Sequence, residues 1–163
     1  PRKTKLIIRT TNKPVVVDRS ILSYANISTS NGEIEIANSS GDFNLNTTNS
    51  EITVRSVTGE INASTSNAHV WFEGIVDKGS NSISTTNGDV SIRLEEGSNV
   101  LVSGDTRNGD VTIDGDNSSI IKDGDTASFT YGTGNETATL VITNGPGEIH
   151  LNPTYISVFD GDK

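Results

Sequence analysis

The sequence predicts an all-β fold: a single-stranded β-solenoid, β-helix-like, with about 18–21 residues per coil, two short strands per coil, and short β segments as caps. Three observations predict it. A phrase recurs along the chain: TSNGEIEI at Thr29–Ile36, TTNSEITV at Thr47–Val54, TSNAHVWF at Thr65–Phe72, TTNGDVSI at Thr85–Ile92 and TRNGDVTI at Thr106–Ile113. Its asparagines, Asn31, Asn49, Asn67, Asn87 and Asn108, lie 18, 18, 20 and 21 residues apart, the spacing of a coil that stacks on copies of itself. After each asparagine, apolar and polar residues alternate: Ile34/Ile36, Ile52/Val54, Val70/Phe72, Val90/Ile92 and Val111/Ile113 take equivalent positions. A period of two puts one stripe of a strand inside and the other outside. Finally, apolar residues make up 31% and aromatics 5% of the chain, too thin for a thick globular core. Stacked coils manage with less, because each buries a few inward side chains against two neighbours.

The organisation follows in chain order. Residues 1–28 read as N-terminal cap strands, at Lys5–Thr10 and Pro14–Asp18; residues 29–116 as the solenoid repeats; residues 117–163 as C-terminal solenoid or cap strands, all in one continuous domain. Between the long phrases lies a second strand of the same pattern, at Gly41–Asn46, Gly59–Ser64, Asn81–Thr86 and Asn99–Gly104. Asn-Gly supplies two positions that tolerate positive φ, the chemistry of a tight turn, with Ser50 and Ala68 in place of the glycine in two copies. The asparagines therefore form a structural turn column whose amides can bond one another along the rod. The Thr-Ser/Thr pairs ahead of them make a hydroxyl array, broken at Thr106-Arg107. The extra residues of the later coils fall at Val76–Asn81 and Leu94–Asn99 as bulges or loop insertions. Four further strands are expected at Phe129–Gly132, Thr137–Thr143, Gly147–Leu151 and Tyr155–Phe159, since bare terminal rungs are adhesive edges. Helical periodicity is absent.

Stacked in sequence order, the outward positions form ladders. One reads Glu33, Glu51, His69, Asp89, Asp110; the next Glu35, Thr53, Trp71, Ser91, Thr112; a third Ala37, Arg55, Glu73, Arg93, whose alternating sign favours cross-rung pairing. Trp71 is the single tryptophan, and inward Val70 and Phe72 point it outward with His69 on the same face. With His69 and the short polar Thr53 and Ser91 it makes up the candidate ligand-binding set, its ring able to stack on a sugar ring or anchor a partner. The competing reading has a loop at residues 74–80 folding over it. His69 between Glu51 and Asp89 reads first as a solvated surface histidine.

The formal charge of −9 and the absence of a basic stripe exclude nucleic acid as a partner, leaving a protein or a glycan. The longest apolar runs, Val15–Val17 and Leu140–Ile142, are too short to span a bilayer, so no direct membrane insertion is expected of this chain. Without cysteine there is neither a disulfide framework nor a thiolate metal site. No cofactor is expected; the candidate metal ligands are the aspartates of Asp-Gly-Asp triplets, Asp114, Asp116, Asp123 and Asp125, which suit calcium but do not continue into a full calcium-loop pattern. Methionine is absent even at position 1, which suggests a piece of a longer chain whose signal or anchor segment has been removed, outside the cytoplasm.

The phrases TSNGEIEI, TTNGDVSI and TRNGDVTI, with SSGDFNL and VTGEINA between them and LVITNGPGEIHL closing, with Pro146-Gly147 inserted, resemble a known family. It is the adhesin-type β-strand-repeat family of bacteria and archaea, a domain of unknown function with repeated Thr-x-Asn-Gly-Asp/Glu-Ile/Val phrases. The resemblance covers Asn26–Leu151 and implies a β-solenoid on membrane-associated or secreted proteins, with no established catalytic residues. The expected function is thus a non-enzymatic cell-surface or envelope-associated module, an adhesin, binding or spacer domain. Two alternatives are a carbohydrate-active enzyme on a β-helix scaffold, which needs long loops walling a cleft, and a self-assembling scaffold stacking rod on rod.

Overall fold

The computed structural model of the protein describes residues 4–106, 111–113, 121–123, 126–131, 138–145 and 148–153. These contain sixteen strands and no helix. The first ten are β1 (Lys5–Arg9), β2 (Val15–Asp18), β3 (Tyr24–Ser28), β4 (Ile34–Ala37), β5 (Phe43–Asn46), β6 (Ile52–Thr58), β7 (Ile61–Ser64), β8 (Val70–Ile75), β9 (Gly79–Thr85) and β10 (Val90–Leu94). The remainder are β11 (Val100–Thr106), β12 (Val111–Ile113), β13 (Ile121–Asp123), β14 (Thr126–Tyr131), β15 (Ala138–Asn144) and β16 (Ile149–Pro153). The chain winds as a β-solenoid between two sheets. One has nine strands in the order β1-β3-β5-β7-β9-β15-β11-β14-β13; the other has seven, β12-β16-β10-β8-β6-β4-β2. Pairing is parallel throughout except at β11-β14-β13. With rungs ~4.8 Å apart, the seven-stranded sheet extends about 29 Å along the rod.

Alternation decides the core. Ile34, Ile36, Ile52, Val54, Val70, Phe72, Val90 and Ile92 from one sheet meet Ala25, Ile27, Phe43, Leu45, Ile61 and Ile83 from the other, each at most 3% exposed. The long phrases all supply the seven-stranded sheet, and the short phrases the nine-stranded one.

The asparagine column is an amide ladder. Asn31 Nδ2 donates to Asn12 Oδ1 at 2.7 Å, Asn49 to Asn31 at 2.8 Å, Asn67 to Asn49 at 2.7 Å and Asn87 to Asn67 at 2.8 Å. It starts one coil earlier than the repeats suggest, at Asn12. Asn108 lies outside the described residues. Half of the hydroxyl array is internal: Thr47, Thr65 and Thr85 are buried and donate to the turn carbonyls of Gly32, Ser50 and Ala68 in the preceding coil. Asn49→Ala removes two rungs of the ladder at an exposed site, and a loss of about 1–2 kcal/mol is expected in urea denaturation.

The Asn-Gly pairs do not make the positive-φ turn their chemistry predicts. Positive φ falls instead at the opposite corner, at Arg19 (49°), Asn38 (48°) and Ser56 (51°), and at Gly41, Gly59, Gly79 and Gly97, among the described residues. At the asparagine turns glycine is required by close approach: a Cβ on Gly32 would lie 2.0 Å from the carbonyl oxygen of Lys13, and one on Gly88 2.0 Å from that of Ala68. The expected insertions also differ. Residues 76–81 are largely absorbed by lengthening β8 and β9, whereas residues 94–99 make a turn closed by Ser98 N–H donating to Glu95 O at 3.1 Å. A bulge among the described residues lies elsewhere, where Arg55 and Ser56 interrupt the register between Val54↔Phe72 and Val57↔Gly74.

The order of the last coils departs from the order of the sequence. β15 lies between β9 and β11, and β16 between β10 and β12, so the closing segment is threaded in as an internal coil. Leu140, Ile142 and Ile149 are fully buried there, and Leu151 is nearly so. Its register also removes the supposed Pro146-Gly147 insertion. Asn144 pairs with Thr85 and Ile149 with Val90, so equal numbers of residues separate the paired positions. Buried Asn81 ties the coils together: its Oδ1 accepts from Ile61 N–H at 2.7 Å and its Nδ2 donates to Thr139 O at 3.0 Å, standing in for a peptide between the neighbouring strands.

Candidate functional site

The outer face of the seven-stranded sheet carries the Trp71 patch. Because Val70 and Phe72 point into the core, Trp71 projects outward from β8, paired with Thr53 on β6 and Ser91 on β10. Of residues 74–80, the segment expected to fold over it, four are strand residues. Gly74 and Ile75 complete β8, and Gly79 and Ser80 open β9. The indole is half-buried, and Thr53 is only 5% exposed although it points outward. Thr53 Oγ1 donates to Glu51 Oε1 at 3.1 Å. The indole Nε1–H is itself buried and has no hydrogen-bond partner.

On the same coil, two residues before Trp71, His69 is half-buried in the column between Glu51 and Asp89. The bonds Ile52 N–H to His69 O (3.2 Å) and Val70 N–H to Asp89 O (3.0 Å) hold that register. On the other flank Glu73 pairs with Arg93 at 3.3 Å. Of the ladder Ala37, Arg55, Glu73, Arg93, this ion pair alone closes among the described residues. Arg55 registers with Ala37, but the bulge takes it out of step with Glu73. At these exposures the ion pair contributes at most about 1 kcal/mol.

Beyond Ser91 the ladder order is corrected. The next rung holds His150 and not Thr112, and next to Asp89 comes Glu148 and not Asp110, because β16 intervenes. His150 Nε2 lies 3.0 Å from Glu148 Oε2, and Glu148 N–H donates to Asp89 Oδ1 at 3.0 Å. Sequence reasoning left His150 in a closing segment; comparing GEIHL with NGDVSI as copies of one phrase would have aligned it with Ser91. The face thus offers a half-buried indole at its centre, short hydroxyls on both sides, and carboxylates and imidazoles at its margin. Such a surface can stack on a ring and exchange hydrogen bonds with hydroxyl groups. No group of three metal-ligating side chains occurs among the described residues. Asp114, Asp116 and Asp125 lie outside the described residues, and of Asp123 only the backbone, in β13, is described.

On the nine-stranded sheet, Lys78 reaches across to Asp42 at 3.1 Å. That hydrogen bond raises the Lys78 ammonium above the ordinary lysine value of 10.5. The contact binds the β8–β9 connection to an earlier coil.

A family model described as Toastrack DUF4097 matches residues 4–152. The chain belongs to the Toastrack DUF4097 family. The match spans both sheets, including the intercalated β15 and β16, so the whole Toastrack solenoid is one family unit. The Trp71 face lies within it. Neither a curated protein nor a solved structure matches this Toastrack chain.

Proposed function

We propose that this Toastrack domain is a non-enzymatic binding module, an adhesin-like unit displayed at the cell surface or envelope, with the Trp71 face as its recognition surface. The observation that carries the reading is the indole of Trp71: a large amphipathic ring held half-open on a flat polar face, its N–H without a partner. Buried donors are satisfied in the great majority of native positions. An unsatisfied one costs about 1–3 kcal/mol, so the site holds a polar group that the fold itself leaves unpaired. The neighbours suit a hydroxyl-rich ligand. Thr53 and Ser91 are short enough not to obstruct a ring laid on the indole, while Glu51, His69 and Asp89 form the neighbouring column and His150 follows Ser91 on the next rung. A glycan is the ligand class that this chemistry fits best.

The test is binding of the purified domain to an array of glycans and extracellular-matrix proteins, alongside Trp71→Ala. Saturable binding that falls at least about ten-fold in the variant, the loss of a contact of roughly 1.4 kcal/mol, is the expected result. Binding retained at full strength would move recognition to another face. Absence of binding to every glycan would remove the proposed ligand class.

A further inference from the structure

The coil of β9 and β10 and the coil of β11 and β12 are consecutive in sequence, yet β15 and β16 lie between them, one strand in each sheet. The registers that hold this pair are uniform. Gly79↔Ala138, Thr85↔Asn144, Val90↔Ile149 and Ile92↔Leu151 share one step of 59 residues. Val100↔Ala138, Thr106↔Asn144 and Val111↔Ile149 share one step of 38. Without β15 and β16, the coils on either side would match each other at a constant step of 21 in both sheets, β11 on β9 and β12 on β10.

That step is the one the sequence repeat sets between Asn87 and Asn108. The inserted pair interrupts the repeat. The alignment imposed by its registers gives its phrase Pro146 where the neighbouring phrases have Asn87 and Asn108, and proline has no side-chain amide. Bonding across the slot also has a ready replacement. Asn81 Nδ2 donates to Thr139 O at 3.0 Å, and Leu101 registers with Thr139, so its carbonyl takes that place when β11 moves onto β9. Leu140, Ile142 and Ile149, fully buried, and Leu151, nearly so, hold the pair in. Its departure nonetheless forfeits only one coil and one coil–coil interface, because two interfaces open and one re-forms. That is the cost of removing an end coil, although the pair is internal. The slot thus has two closed arrangements, each with parallel strands meeting across it.

We infer that β15 and β16 form an exchangeable insert: the solenoid switches between the inserted form and a minor form in which β11 stacks on β9 and β12 on β10. The switch also edits the Trp71 face, a consequence that rests on reading that face as the recognition surface. The residue beyond Ser91 is His150 in the inserted form and Thr112 in the other. A ligand that bonds to the imidazole favours insertion by as much as its affinities for the two forms differ.

The chain has no cysteine, so introduced pairs report the two forms. Ser82, Val141 and Ser103 are exposed on the nine-stranded sheet and register in one row, Ser82↔Val141↔Ser103. Neighbouring rungs place Cα atoms ~4.8 Å apart, within disulfide reach, and alternate rungs about 9.6 Å, beyond the limit of about 7 Å. Ser82→Cys/Val141→Cys locks the inserted form, and Ser82→Cys/Ser103→Cys closes only in the other. Asn44→Cys/Ser82→Cys is the control, because Asn62 separates these positions by the same two rungs and belongs to the regular repeat. The oxidant is oxidised glutathione and the readout peptide mass spectrometry. The Ser82/Ser103 pair should close within one chain at least about ten-fold faster than the Asn44/Ser82 pair, which waits for global opening. Ile142→Asp should speed the first closure further and leave the second unchanged. If circular dichroism shows that Ile142→Asp misfolds, the two pairs without it decide. Equal rates overturn the inference. No ligand enters this measurement, so it stands or falls apart from glycan recognition. On the glycan array, the two disulfide-locked forms should then differ in affinity at least about three-fold. Equal affinities would overturn the coupling to the Trp71 face, and binding by neither form would overturn the glycan reading while the cross-linking rates still decide the switch.

Discussion

Gly59→Ala is expected to destabilise the domain by about 3–5 kcal/mol, more than most single surface changes in a protein of this size. Two causes add at this position. Gly59 has φ of 138°, a conformation that residues with a Cβ rarely adopt, at a cost of roughly 1–3 kcal/mol. The new Cβ would also lie 2.0 Å from the carbonyl oxygen of Gly41 in the preceding coil, and that backbone is fixed by its own bond from Gly41 N–H to Thr58 O at 3.1 Å. Overpacking against a backbone adds about 1–3 kcal/mol. Two companion variants separate the causes. Gly97 has φ of 98°, but its Cβ would meet only Ile75 side-chain atoms at 3.6 and 3.7 Å, so Gly97→Ala carries the strain alone. Gly88 has no positive φ but a Cβ position 2.0 Å from Ala68 O, so Gly88→Ala carries the collision alone. Chemical denaturation of all three measures the sum against its parts. Equal losses for Gly59→Ala and Gly97→Ala would mean that the coils slide apart enough to relieve the contact.

Phe72→Ala is expected to cost about 3–5 kcal/mol, a large share of a typical domain's 5–15 kcal/mol. Phe72 is 1% exposed, with Val54 and Ile92 as its in-register neighbours inside the rod. A coil only two strands wide has few other side chains that can collapse into the space left behind. The adjacent Trp71→Ala should behave in the opposite way. It removes an unpartnered buried indole N–H together with a half-buried apolar ring, and these effects oppose each other to within about 1 kcal/mol. Denaturation and ligand binding measured on both variants therefore separate the two stripes of β8. The inward stripe governs stability, and the outward stripe should govern recognition. A Trp71→Ala loss as large as that of Phe72→Ala would reassign the indole to packing.

The sequence alone determined the local unit of this protein. Alternation at Ile34/Ile36 and its copies settled which side chains face inward, because a strand has a strict period of two. Recurrence of Asn31, Asn49, Asn67 and Asn87 settled that equivalent residues stack, and stacked amides bond at ~2.8 Å wherever the coils repeat. The outward direction of Trp71 and its neighbours Thr53 and Ser91 followed from the same two rules. Tertiary structure decided what depends on which coil lies next to which. The intercalation of β15 and β16 rests on contacts such as Asn81 to Thr139 and Asp89 to Glu148, separated by 58 and 59 residues, whereas ordinary rungs are 18–20 apart. Periodicity identifies a coil but does not order non-adjacent copies, so His150 beside Ser91 was hidden. The glycines of the Asn-Gly turns were legible as glycines but not for their reason. The constraint is the carbonyl oxygen of a neighbouring coil, 2.0 Å from where a Cβ would stand, a collision that exists only once the coils are stacked.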